Sequence, residues 1–327
     1  LYDLELELQA TAPRLDFRPI HCDITNAERM GKIFRKHQPD IVFHAAAYKH
    51  VPVMEDNPSE AVVNNVLGTK TIADLSARYH AEKFVMISTD KAVNPTSVMG
   101  ASKRIAEIYI QALNDELASR QHDDPLQSTK FITTRFGNVL GSTGSVIPRF
   151  QKQIASGGPV TVTHPEITRY FMTIPEACQL VLEAGAMGHG GEIFLFDMGE
   201  SIKIVDLAKK MIRLSGLTLG RDIQLVFTGL RQGEKLYEEL LSTEENTVQT
   251  HHPQIMIAKV RQYDFNLIQQ HLNELNHLLS VQDNDSIIMK MKKVVPEYIS
   301  NNSIYERLDH LGQVEPVQKP EVKSQIG

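Results

Sequence analysis

Thr89, Asp90 and Lys91 stand side by side, and Met99 and Lys103 follow, four residues apart. An acid and a base adjacent in sequence can serve one substrate as proton donor and proton acceptor. For that work Asp90 must rise well above about 3.9, and Lys91 must fall from about 10.4 toward neutrality. Burial in a partly dry pocket pushes both groups that way, while their mutual attraction opposes it, so burial has to win. On an open loop the same two residues would form an ordinary surface ion pair. Met99 and Lys103 share a face if the segment is helical, about 5–6 Å apart at Cβ. The plain alternative for that pair is a core methionine and a solvated lysine.

The elements around these residues are readable. Phe84-Val85-Met86-Ile87 is an apolar run that predicts a buried strand over 84–89, Asn94-Pro95 marks a turn, and a helical pattern runs over about 97–118. In an open parallel sheet, ligands bind in the crevice at the carboxyl ends of the strands. Upstream, the pattern predicts a short strand over 17–23, a helix over 26–37 capped by Thr25 or Asn26, a buried strand over 40–47 and a helix over 58–80. Downstream, a polar loop at 121–125 leads to a strand over 130–139. Strands alternating with helices mean a parallel α/β sheet.

After about Gly141 the character changes. Residues 141–158 are glycine-rich and loop-like, with a helix near 147–156; a strand at 192–198 returns to the main sheet, and an amphipathic helix covers 204–215. The expected division is therefore 1–141, then 142–311, then a disordered tail over 312–327. A dinucleotide-binding sheet opens with a strand, a glycine-rich turn and a helix whose N-terminus holds a pyrophosphate. No G-x-x-G-x-x-G follows an early strand here, so the first strand and glycine loop read as missing and the chain as N-terminally truncated.

Composition narrows the classes. The chain has 327 residues, 42% hydrophobic and 23% charged, ordinary for a globular protein. A formal charge of −6 without a long basic run argues against a nucleic-acid partner. Cys22 and Cys178 lie far apart and read as buried thiols in a reducing compartment. They and the scattered histidines His21, His37, His251 and His252 show no metal-ligand spacing, so no metal is expected. No run approaches the roughly 20 apolar residues of a membrane helix, and Leu1 to Gln9 does not read as a signal peptide.

The run STDKAVNPTSVMGASKR, residues 88–104, resembles the active-site region of extended short-chain dehydrogenase/reductases. Within that superfamily it resembles the UDP-N-acetylglucosamine 4,6-dehydratases of the capsule and O-antigen polysaccharide-biosynthesis type, over about residues 1–250. The large members carry Met where the superfamily has Tyr, as Met99 here. The resemblance implies a Rossmann-like doubly wound sheet lacking its first strand and glycine-rich loop, with a smaller C-terminal substrate-binding domain. It also implies NAD or NADP as cofactor, a UDP-sugar substrate, a homo-oligomer, and a place in the cytoplasm or on the cytoplasmic face of the inner membrane.

Residue roles follow from the same resemblance. Asp90 becomes the general acid at C6 and Lys91 the general base at C5 of the sugar, beside Thr89, with Lys103 on the nicotinamide ribose. Ala45, Ala46 and Ala47 would let the cofactor approach the backbone. Asp23 would stand near the adenine, or simply cap a helix. Asn65, in an N-V-x-G-T pattern, would support the active-site strand and helix. Asn138, in R-F-G-N-V-L-G, and Arg169, in T-R-Y-F-M-T, would contact the UDP-sugar. In R-Q-G-E-K, Arg231 would take the diphosphate and Glu234 the ribose diol, chemistry that suits a guanidinium and a carboxylate. Lys49 and His50 would sit at the sugar pocket. A thioether cannot take the C4 hydroxyl proton, which leaves Thr89, a water, or a relay through the cofactor ribose and Lys103. A UDP-sugar epimerase of the same superfamily is one alternative, though C4 epimerisation needs no acid and base for C5 and C6. An inactive nucleotide-binding fragment is the other.

Overall fold

The computed structural model describes residues 2–120, 128–239 and 246–309; the polar loop and the tail expected from sequence lie outside them. Its main sheet has six strands: β1 (Ile41–His44), β2 (Lys83–Ile87), β3 (Lys130–Arg135), β4 (Ile193–Phe196), β5 (Asn246–Gln249) and β6 (Ile255–Lys259). Their order is β1-β2-β3-β4-β6-β5. The first four run parallel, with His44 opposite Met86, Ile87 opposite Thr134 and Arg135 opposite Leu195. β6 joins β4 antiparallel, and β5 pairs antiparallel with the other edge of β6. β4, Ile193–Phe196, lies in the main sheet between β3 and β6.

The period-two alternation of β2 and β3 sorts their side chains onto two cores. Phe84, Met86 and Phe131 face one, and Val85 and Ile132 the other. After α1 (Tyr2–Thr11), the first side is covered by α2 (Ala27–His37), α3 (Val51–Asp56), α4 (Pro58–Ala61), α5 (Thr69–Arg78) and α6 (Val98–Arg120). Asn26 caps α2, its Oδ1 accepting from the Arg29 amide at 3.0 Å. A π-helical segment, Val62–Gly68, joins α4 to α5. Helix α6 is buried on every side from Val98 to Leu113, as a helix enclosed by the core must be. Beyond it, α7 (Val146–Ala155), α9 (Ile204–Leu214) and the paired strands Val160–Val162 and Leu225–Phe227 gather around Phe150, Val162 and Ile212 as a smaller lobe. Helix α8 (Ile174–Met187) covers the second face of the sheet.

Several expectations are corrected. Residues 17–23 form no strand. The edge of β1 away from β2 carries no partner among the described residues, and an extended segment without a ladder leaves its N–H and C=O groups unpaired. The buried strand expected over 40–47 is four residues long, and its Ile41 and Phe43 stay 47% and 46% exposed. Cys178 is exposed rather than buried, because it lies on the outward side of α8. Helices α10 (Phe265–Val281) and α11 (Asn284–Val294) bring Ile268, Leu272, Leu275 and Met291 into the core of α6. Helices from the last third of the chain thus share one core with α6. No helix among the described residues is long and apolar enough to cross a membrane.

His44, at the end of β1, gives this core a pH dependence. Thr69 donates its hydroxyl proton to the Asn65 carbonyl at 2.8 Å, so its oxygen accepts from His44 Nε2, also at 2.8 Å. Burial first, and then the charge of Lys103, lower the His44 pKa to about 3. The unfolded chain binds a proton here below about 6.5 and the folded chain does not until about 3. Stability therefore falls with pH across that window, by about 1.4 kcal/mol per pH unit from this group. Urea unfolding at pH 7, 6 and 5 is expected to show this slope in the native chain and its loss in His44→Phe. Equal slopes in both would remove His44 from the titration.

Candidate active site

Strand β2 ends where the chemistry begins. Thr89 donates its hydroxyl proton to Asp90 Oδ1 at 2.9 Å and accepts from the Lys91 amide at 3.3 Å, which caps the 3₁₀ turn Asp90–Ala92. Asp90 is 1% exposed. Lys91 Nζ donates to Asp90 Oδ1 at 2.9 Å and to Asn138 Oδ1 at 3.2 Å, and Glu238 Oε1 lies 3.7 Å away. Gly100, in the first turn of α6, makes the close fit possible: a Cβ there would stand 2.3 Å from the Lys91 carbonyl oxygen. Asp90 and Lys91 thus meet with the carboxylate fully buried and the lysine side chain 20% exposed. The sense of the Lys91 shift is the reverse of expectation. Burial pulls its ammonium down, but Asp90 and then Glu238 more than offset that, and its pKa lies above the ordinary lysine value. The second carboxylate comes from a distant loop, which is why the sequence alone did not weigh it.

Behind this turn stands α6. Met99 is buried at 3% exposure, and its carbonyl accepts from Ser102 Oγ. Lys103 donates to the Ile87 carbonyl at 2.8 Å; burial brings it down to about 8, against the pull of Glu107. Asn65, in the π-helical segment, holds the loop after β1. It accepts from the Tyr48 amide at 2.7 Å and donates to the Tyr48 carbonyl and to Ser102 Oγ, both at 3.0 Å. Such π-bulges recur at functional sites. One buried cluster was not foreseen. Glu107 accepts from Ser88 Oγ at 2.7 Å, from Arg135 at 2.7 and 2.8 Å and from Arg104 at 3.1 Å.

A cleft of about 230 Å³ opens between the sheet and the smaller lobe, and Lys49, His50, Asn138, Arg169, Arg231 and Glu234 all line it together with Lys91. The six residues expected on the substrate side are therefore gathered by the fold. Their engagements differ. Arg231, half exposed, pairs with Glu234 at 3.1 Å, and Glu234 Oε2 also accepts the Arg231 amide. Arg169 is buried and ties the 234–238 loop, donating to the Lys235 carbonyl at 2.8 Å and standing 3.5 Å from both Glu234 and Glu238. Gly144 adopts φ +72 and leaves room for the His50 ring, which a Cβ would meet at 2.7 Å. Arg149 and Glu238 also line the cleft and were not anticipated. The one hint of Glu238 is an acid repeated four residues after Glu234.

The remaining expected residues lie outside the cleft lining. Ala45 and Ala46 are exposed at the end of β1, and Lys103 sits at the end of β2. Small residues and a buried ammonium at neighbouring strand ends fit the nicotinamide half of a dinucleotide, NAD or NADP. Asp23 is exposed, and its carboxylate accepts the Thr25 amide and hydroxyl, both at 2.8 Å. Those bonds make it a turn cap and lower its pKa.

The parallel sheet, the Thr-Asp-Lys turn at a strand end and the lysine-bearing helix behind it define a Rossmann-fold protein of the extended short-chain dehydrogenase/reductase type. The chain belongs to the polysaccharide biosynthesis protein family, which it matches over residues 1–260. It is 54% identical over 264 residues to the capsular polysaccharide biosynthesis protein CapD of Staphylococcus aureus, covering 80% of this chain and 42% of CapD. It thus spans less than half the length of that relative. It is 35% identical over 225 residues to the inverting UDP-N-acetylglucosamine 4,6-dehydratase of Campylobacter jejuni, 68% of this chain and 62% of the other. It is 40% identical over 242 residues to a UDP-glucose 4-epimerase of Rickettsia canadensis, 74% and 66%. Among solved structures, Pen from Bacillus thuringiensis superposes with a TM-score of 0.70 at 33% identity, covering 81% of this chain and 79% of Pen.

Proposed function

We propose that this cleft carries out the NAD(P)-dependent 4,6-dehydration of a UDP-N-acetylhexosamine, with UDP-N-acetylglucosamine as the substrate, in surface-polysaccharide synthesis. The observation that carries the reading is the Lys91–Asp90 pair, 2.9 Å apart with the carboxylate fully buried and the amine on the cleft wall. A dehydration needs an acid and a base beside one sugar; a C4 epimerisation needs neither at C5 or C6.

A nicotinamide, when bound, supplies the acceptor for the C4 hydride and its return at C6. The chain's own residues handle the protons. Thr89 has committed its hydroxyl proton to Asp90 Oδ1, so its oxygen is free to accept the C4 hydroxyl proton as its own moves to Asp90. That relay charges Asp90 with the proton it later gives to the departing C6 hydroxyl. Lys91, as a free amine, takes the proton from C5. The relay does without a phenol, consistent with a buried Met99 at the position of the superfamily's tyrosine.

Incubation with UDP-N-acetylglucosamine and NAD or NADP, followed by proton NMR of the sugar, tests the reading. A 4-keto-6-deoxy product with its new C6 methyl signal is expected. A C4 epimer in its place would put the protein with the epimerases. Arg231→Ala is expected to weaken UDP by about 1.5–3 kcal/mol, the value of a charged hydrogen-bond set. The loss should be equal for UDP and the UDP-sugar. Equal UDP affinity of mutant and native protein by calorimetry would mean the diphosphate lies elsewhere.

A further inference from the structure

Glu238 is a carboxylate that this scheme leaves unused, and it stands where the scheme has a gap. Lys91 takes the C5 proton only as a free amine, yet two carboxylates hold it as an ammonium. Its proton needs a destination. Three groups surround Lys91 Nζ: Asp90 Oδ1 at 2.9 Å, Asn138 Oδ1 at 3.2 Å and Glu238 Oε1 at 3.7 Å. An amide oxygen does not hold a proton near neutral pH, and Asp90 is already loaded from Thr89. Glu238 remains. Its side chain is 2% exposed and lines the cleft, and its Oε2 has no hydrogen-bond partner among the described residues. The charged groups facing it are Lys91, from the turn after β2, and Arg169, whose Nε is 3.5 Å away and which is shared with Glu234.

We propose that Glu238 is the proton acceptor for Lys91, the group that turns the resting ammonium into the amine that attacks C5–H. The proposal rests on the dehydratase reading of this cleft. In the step, one Nζ–H bond breaks, a Glu238 O–H bond forms, and the electron pair stays on nitrogen. Ammonium and carboxylate become amine and carboxylic acid, so the pair's net charge is unchanged. Closing 3.7 Å to the roughly 2.8 Å of a charged hydrogen bond takes about 1 Å, and catalytic hydrogen bonds are often long before substrate is bound. After the C5 proton has been taken and returned, Glu238 gives its proton back to Lys91. Asp90 has by then lost the C4 proton to water, so all three groups end as they began. Glu238 acts through Lys91 and is a positioning residue in that sense.

Glu238→Gln and Glu238→Asp in the intact enzyme test the idea against simple support of Arg169. In Glu238→Gln, kcat should fall by about 10–10²-fold, with KM for UDP-N-acetylglucosamine and calorimetric UDP affinity within about threefold. Single turnovers should accumulate reduced nicotinamide, because C4 oxidation proceeds while C5 deprotonation stalls. Activity should recover toward alkaline pH, where solvent removes the Lys91 proton. Glu238→Asp, which keeps a carboxylate, should restore most of kcat. Native kcat and pH profile in Glu238→Gln would overturn the proposal alone. So would a loss confined to KM and UDP affinity, or an equal loss in both variants with a lowered melting temperature. A native enzyme that forms no 4-keto-6-deoxy sugar would overturn the dehydratase reading and this proposal with it.

Discussion

Lys91→Met and Asp90→Asn are each expected to lower formation of the 4-keto-6-deoxy sugar by about 10²–10⁴-fold, the usual cost of losing one general acid or base. The two should differ in where they stop. Without the Asp90 carboxylate, the Thr89 proton has no acceptor, so C4 oxidation itself slows. Without the Lys91 amine, oxidation proceeds and the reaction halts before water leaves. Affinity for UDP should change little in either, because the guanidinium of Arg231 lies elsewhere on the cleft wall. Rapid-mixing absorbance of the nicotinamide, with NMR of the sugar, separates the cases. Turnover within a fewfold of the native enzyme in either variant would remove these residues from the chemistry.

The second large effect is on stability. Glu107 is fully buried and binds Arg135, Arg104 and Ser88, so Glu107→Gln removes the buried carboxylate charge that the two guanidinium groups share. Breaking a buried pair in this way costs about 3–5 kcal/mol. Burial alone would raise the Glu107 carboxyl, but Arg135 and then Arg104 hold it at about 2. Its folded pKa is depressed, so its contribution is complete above about 4.5 and is lost as pH falls toward 2. Urea unfolding at pH 7 should show the loss in Glu107→Gln, and a cost below about 1 kcal/mol would mean the cluster relaxes freely. Since Ser88 Oγ hangs on the same carboxylate at the end of β2, surviving protein should also turn over more slowly.

What the sequence determined is local. An apolar run, an Asn-Pro turn and the four-residue step from Met99 to Lys103 set a strand, a turn and a helix. Those features depend on neighbours within a few residues, and they stand where the pattern put them. The motif residues Lys49, His50, Asn138, Arg169, Arg231 and Glu234 were also legible, because each sits in a short run of distinctive spacing, and all six meet at one cleft. Tertiary structure decided the rest. Residues 17–23 have a strand's composition but form no strand, because a strand exists only against a partner. The cluster of Glu107 with Arg135 joins groups 28 residues apart, across helix and sheet. The carboxylate of Glu238, far along the chain, joins that of Asp90 in holding Lys91 charged. Pairing, burial and charge are sums over whatever folding brings within a few ångströms, and no local pattern contains those sums.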